Sequence, residues 1–233
     1  SLAIYSLLPY VEVAGGIHFP RGGMHQLAVA LEKVGRELGV EYCYDCAVTS
    51  FEKGASKVDA VRTADGRRHV ANIVVTNADL PHAYETFLGE PVKDIERKRF
   101  SCSVVLMYLG LDRQYPHLQH HEFIVGDDMR QGCSDMFDHH RMAKDPPFYV
   151  VTTTRTDPSL APPGGECVFV LVLAPSQPED KAKWVDWSVE GPRVEAQTLE
   201  RMERQLGMTD LRQHIVTRKL VTPQTFLDEF GNK

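Results

Sequence analysis

The stretch that most limits how this chain can fold is Gly15 to Gly39, GGIHFPRGGMHQLAVALEKVGRELG. From Met24, the apolar residues Leu27, Ala28, Leu31, Val34 and Leu38 recur at helical period, with Gln26, Glu32, Lys33, Arg36 and Glu37 on the other side. Such a stripe needs cover, so the pattern predicts a helix packed on a sheet. Gly39 stops it where a left-handed residue is usual, and Gly22-Gly23 opens it. Free amides and the positive dipole end at such a start suit a phosphate-bearing ligand. A Gly-Gly turn before a helix is also simply a tight turn, and spacing leaves both readings open.

The 233 residues suffice for one large domain or two small ones, and 42% hydrophobic with 25% charged residues is ordinary globular composition. A net charge of −6 argues against nucleic acid as a partner, because phosphate neutralisation supplies most of that affinity. The richest basic run, Lys93 to Arg99, is broken by Asp94 and Glu96 and reads as a solvated face. The most apolar runs, Val104 to Leu111 and Val168 to Ala174, fall far short of the roughly 20 residues that span a bilayer. Ser1 begins in mid-pattern and Lys233 follows an apparent helix, so the chain is expected to be a piece of a longer protein.

Five cysteines without a secretory signal favour reduced thiols. Cys43 and Cys46 form a CxxC, but in VEYCYDCAVTSF they sit in alternating, strand-like sequence with no second pair to complete a zinc site. They read as structural thiols. His117, His120, His121, His139 and His140 raise the question of a metal. With no HExxH or carboxylate triad, the expectation is none.

Ser1 to Val13 is apolar and reads as the end of a helix lining a core or pocket. Val40 to Cys43 and Ala47 to Glu52 read as strands, and Val58–Thr63 with Arg68–Val70 as a hairpin turning at Asp65-Gly66. Ile73-Val74-Val75 reads as a short buried strand running into Thr76-Asn77-Ala78-Asp79. Ligands collect at strand carboxyl ends in open α/β sheets, so Asn77 and Asp79 could mark a ligand edge. Asp79 could equally cap the helix entered at Leu80-Pro81. Ser101 to Leu111 reads as a strand covered on both faces, followed by strands at Phe148–Thr153 and Cys167–Ala174. Between the last two lies the rigid loop Asp157 to Gly164, and a helix is predicted from about Pro192 to Leu206 with Val194, Leu199, Met202 and Leu206 inward.

Five segments, HFPRGGMHQLAVALEKVGRELG, VVTNADLPHAYETFLG, HLQHHEFIVGDD, TDPSLAPPG and VTPQTFLDEFG, occur here in an order and spacing that resemble the bacterial and fungal phytoene desaturases. The likeness runs over nearly the whole chain and is to the middle of such an enzyme. The resemblance implies an α/β fold: the central part of a discontinuous Rossmann-like FAD-binding domain, with a mixed-sheet substrate-binding domain. Residues 15–79 would belong to the FAD-binding domain and 80–220 to the substrate-binding domain. Residues 1–14 would end a substrate-domain segment, and 221–233 would begin the return to the FAD domain. It also implies FAD as cofactor and a phytoene-like polyisoprenoid as substrate, taken up at the cytoplasmic face of a membrane without a span. Hydride would leave an allylic carbon for the flavin while the neighbouring carbon loses a proton.

In such enzymes a valine backbone holds the adenine, which points to Val48; Gly22, Gly23, Asn77 and Asp79 are the further cofactor candidates. No catalytic base stands out. Arg21 and His121 are either charge-placing groups or surface residues. The resemblance leaves room for a carotenoid ketolase, a carotene isomerase or a retinol saturase, and a noncatalytic apolar-lipid carrier on the same core is the alternative outside enzymes.

Overall fold

A computed structural model describes residues 6–94, 100–177 and 181–231. Residues Leu2 and Ile4 of the first apolar segment lie outside it. Helices α1 (Leu7–Gly15) and α2 (His25–Glu37) precede a three-stranded antiparallel sheet of β1 (Val48–Lys53), β2 (Val58–Thr63) and β3 (Arg68–Val70) in that order. Next comes α3 (Leu80–His82), running on into a π-helical turn at Ala83–Leu88. The remaining strands, β4 (Ser103–Leu111), β5 (His121–Ile124), β6 (Phe148–Thr152), β7 (Glu166–Ala174) and β8 (Ile215–Val221), form one sheet in the order β5-β6-β7-β4-β8. Helices α4 (Met129–Phe137), α5 (Trp187–Gln205) and α6 (Pro223–Phe230) complete the order.

The core lies between this sheet and α5. Val105, Met107 and Leu109 of β4, and Val168, Val170 and Val172 of β7, bury one face against Val194, Leu199 and Met202 of α5. Each such side chain stabilises the fold by about 1.5–3 kcal/mol. At the end of β7, Glu166 is 1% exposed yet ionic: it pairs with Arg155 and accepts the Tyr115 N–H at 3.0 Å. A buried carboxylate needs such partners, and these tie the segment after β6 and the exit of β4 to one point.

Several expectations are corrected. The second sheet is antiparallel throughout, where a mixed one was expected. β4 is covered on one face only; on the other, Leu106 is half-buried and Tyr108 exposed, and on the same side Phe169 and Leu171 of β7 are half-buried and Phe123 of β5 is exposed. Helix α5 begins at Trp187, before Pro192, because Asp186 caps it by accepting the Ser188 N–H and hydroxyl. Neither Val40–Cys43 nor Ile73–Val75 is a strand, and no residue of α2 is buried. Leu31 is 72% exposed, Ile73 81% and Val75 89%, so these apolar runs find no cover among the described residues. Val11 and Val13 of α1 are exposed too, against the expected core role. A strand needs a hydrogen-bonding neighbour and an apolar stripe needs an opposing surface; among the described residues these segments have neither.

The β2–β3 hairpin forms as expected, with Gly66 at φ 83. The Asp65 carboxylate accepts from the Thr63 hydroxyl at 2.6 Å, the Arg67 N–H at 3.1 Å and the Arg67 guanidinium at 2.5 Å. Those bonds, Thr63 first, hold its carboxyl down to about 2. A carboxyl lowered on folding contributes stability above its unfolded value, about 3.9, that is lost as pH falls through the folded one. Hairpin protection against amide exchange should therefore weaken between about pH 4 and about pH 2, and Asp65→Asn should remove that pH dependence.

Candidate functional site

The Gly22-Gly23 turn enters α2 with both residues left-handed, at φ 82 and φ 90. Only glycine adopts this without strain, which accounts for the pair. The turn docks on the loop after β6. The Gly22 N–H donates to Asp157 Oδ2 at 2.6 Å, and Asp157 Oδ1 accepts from the Ser159 N–H at 3.1 Å and hydroxyl at 2.6 Å. Leu160 lies over Gly23, where an added Cβ would stand 3.5 Å from Leu160 Cδ2. The Ser159 hydroxyl and the Gly22 amide hold the Asp157 carboxyl below its usual range, with Arg21 adding to the effect, so it is ionised.

Histidines extend this seam. Phe19 meets His120 edge-on with ring centres 5.0 Å apart, and His120 lies 4.3 Å from His121. His120 Nδ1 shares a hydrogen bond with the Thr156 hydroxyl, and His121 Nδ1 with the Tyr149 hydroxyl. Tyr149 stacks on Phe123 at 4.4 Å across the β5–β6 pair. Burial, and then the neighbouring His121, push the His120 pKa down. Beyond the seam, Leu160 to Pro163 wall an apolar groove of about 510 Å³ that also takes in Tyr108 and Cys167. Here the uncovered sheet face, the loop and the glycine turn lie in sequence.

The five residues singled out as cofactor contacts occupy three different surroundings. The Gly22 amide is committed to Asp157, a carboxylate standing where an anion would approach. Val48 begins β1, one of the two edge strands of its sheet, beside a register shift. Asn77 and Asp79 line a hollow of about 430 Å³ with Phe226 and Phe230 of α6. Asp79 stands at the N-cap of α3 but makes no side-chain capping bond, and its buried Oδ2 has no partner among the described residues. Of the two charge-placing candidates, His121 lies in the seam, and Arg21 is exposed beside it. Sequence reasoning missed Asp157. Its Asp-Pro-Ser setting signals a local turn, but nothing local discloses a partner 135 positions away.

Residues 1–181 match the family described as flavin containing amine oxidoreductase. The chain belongs to that family. Among its relatives is a zeta-carotene-forming phytoene desaturase from Myxococcus xanthus, 40% identical over 99% of this chain and 44% of that protein. A 4,4'-diapolycopene oxygenase from Methylomonas sp is 39% identical over 95% of this chain and 44% of that protein. A lycopene-forming phytoene desaturase from Pantoea ananas is 34% identical over 98% and 47%. The chain thus spans under half the length of these curated relatives. An oxidoreductase from Methanosarcina mazei shares the fold, with a TM-score of 0.50 at 16% identity over 86% of this chain and 42% of that one. That likeness shows a shared mixed helix and strand architecture.

The seam makes a measurable demand on this family member. A histidine whose folded pKa lies below its unfolded value of about 6.5 binds fewer protons when folded, so stability falls as pH drops through about 6.5 toward the folded value. A proton NMR titration should place the His120 midpoint below about 6.5, and His121→Gln should move it upward by removing the neighbouring imidazole. A His120 midpoint at or above that of a free imidazole would contradict the buried contact.

Proposed function

We propose that the protein is an FAD-dependent desaturase that removes hydrogen from phytoene or a related polyisoprenoid in carotenoid biosynthesis. The carrying observation is the apolar groove and bare sheet face beside the glycine turn, in a chain 40% identical to a phytoene desaturase. A polyisoprenoid has nothing to hydrogen-bond, so affinity must come from buried apolar area at about 25 cal/mol per Å². Tyr108, Phe169 and Leu171 on the bare face offer such area, and the Leu160–Pro163 wall keeps water from one side. Bound FAD would supply the two-electron oxidant that takes hydride from an allylic carbon while the neighbouring carbon loses a proton and the double bond forms.

Residues 15–79 would then be the central segment of a Rossmann-like FAD-binding domain and 80–220 the substrate-binding domain, with 1–14 and 221–233 as the joining segments. Two features favour the dinucleotide here. The outer edge of β1 at Val48 has no strand beside it among the described residues, and edge-strand backbone is open to an adenine. The orphaned Asp79 Oδ2 calls for a donor such as a ribose hydroxyl. Gly22 and Gly23 take a lesser part, since Asp157 holds the Gly22 amide. No helix among the described residues is long and apolar enough to cross a membrane. The substrate is lipid-soluble, so the protein would work at the cytoplasmic surface of a membrane, as a peripheral protein.

The full-length gene product, given phytoene in lipid vesicles under anaerobic conditions, should bleach its flavin and yield products shorter by pairs of hydrogens. Oxygenated products formed only in air would favour a carotenoid ketolase, the second reading that the oxygenase relative supports. Flavin that stays oxidised with every polyisoprenoid offered would end the desaturase reading.

Val48 gives a separate test. Val48→Ile keeps the β-branched strand residue and its backbone groups, so FAD affinity should hold. Val48→Pro removes an amide and any bond it makes, at a cost of about 3 kcal/mol or more, so affinity should fall. Circular dichroism must show the proline variant folded; a folded variant that binds FAD like the parent would place the adenine elsewhere.

A further inference from the structure

We infer that Asp157 is a positioning residue: it clamps the glycine turn that opens α2 onto the loop walling the apolar groove, and so sets how the FAD-binding segment faces the substrate. The inference rests on the functional reading above for what is being aligned, and on the geometry alone for the clamp.

Helix α2 buries none of its residues, so its apolar face fixes nothing among the described residues. What holds its entrance is the seam. The Asp157 side chain, in a residue 9% exposed, has both oxygens engaged on opposite sides, Oδ2 by the Gly22 N–H and Oδ1 by Ser159. Ser159 thereby aims the carboxylate, and the Asp157 N–H donates to Thr153 O at 3.0 Å, which ties its backbone to the end of β6. Thr153 in turn follows strand residues paired with β7, so the clamp is anchored in the core sheet. A charge-assisted bond to an amide is about twice as strong as a neutral one, and the positive end of α2 adds to its attraction. Two contacts align with it, Leu160 over Gly23 and Phe19 against His120. The turn therefore meets the groove wall at defined points, while the rest of α2 stays uncovered. Since the Gly22 amide is spent on a fixed carboxylate, that amide serves alignment here.

The test uses the flavin-loaded full-length gene product with Asp157→Asn and Asp157→Ala. Asparagine keeps the shape, but its amide nitrogen cannot accept a hydrogen bond, so it satisfies Ser159 or Gly22 and not both. The expected result is an unchanged thermal midpoint and flavin absorbance, with amide exchange across residues 21–26 faster by about tenfold or more. Anaerobic flavin reduction by phytoene in lipid vesicles should slow by about tenfold at unchanged KM, which a merely structural role would not produce. Unchanged exchange in both variants would overturn the clamp. Unchanged reduction rates, or loss of flavin and fold together in both variants, would overturn the positioning role. Should the parent protein fail to pass electrons from any polyisoprenoid, the functional reading falls, while the exchange result still decides whether Asp157 holds the turn.

Discussion

The pairing of β4 with β7 is what the rest of this structure depends on. The two strands run antiparallel along their full length, from Ser103 opposite Ala174 to Leu111 opposite Glu166. They stand at the centre of a five-stranded sheet, and the face they present to α5 is apolar at alternate positions from Val105 to Leu111 and from Val168 to Ala174. A central pair can be buried on one side and left half-open on the other, because side chains alternate along a strand. That alternation gives this protein a stable core and an apolar surface from the same two strands.

The site grows from the end of that pair. Glu166 opens β7 and collects Arg155 and Tyr115, so the segment leaving β6 is held close to the sheet. Asp157 follows Arg155 by two positions and reaches the glycine turn. The histidine contact lies on the same side, because His121 stands opposite Val151 in the β5–β6 pair and Tyr149 stands opposite Phe123. Core, loop and turn are thus a single mechanical series. Such a series holds the glycine turn at a fixed place on the sheet, whatever the rest of α2 meets.

Much of this was legible in the residues. The helix of α2, the hairpin at Asp65-Gly66, and the strands β1, β4, β6 and β7 follow from period and turn chemistry, with ends displaced by a residue or two. Helix α4 and strand β8 are not disclosed by patterning. β8 reads Ile-Val-Thr-Arg-Lys-Leu-Val and is largely exposed, so no clean alternation marks it, and its partner β4 lies far away in the chain. Pro192 points to a helix start because proline suits the first turn and costs a hydrogen bond further in, yet it lies inside α5, whose start is set upstream by the Asp186 cap. The strands expected at Val40 and Ile73 failed for another reason: β-sequence states a preference, and a strand exists only where a neighbour supplies the ladder.

By itself the sequence determined the local elements, the chemistry of the turns and the family, because these depend on residues close together or on motifs in order. It also carried both halves of the main contact, glycines with no Cβ in one place and an Asp-Pro-Ser turn in another. Only the tertiary structure decided that the two meet. A hydrogen bond between Gly22 and Asp157 spans 135 positions, and its partners are chosen by where the β6–β7 connection emerges from the sheet, which no local pattern encodes. The same holds for the bare face of β4 and β7. Alternation shows that a strand has two faces, but which one α5 covers is settled by packing, where the larger apolar area leaves water.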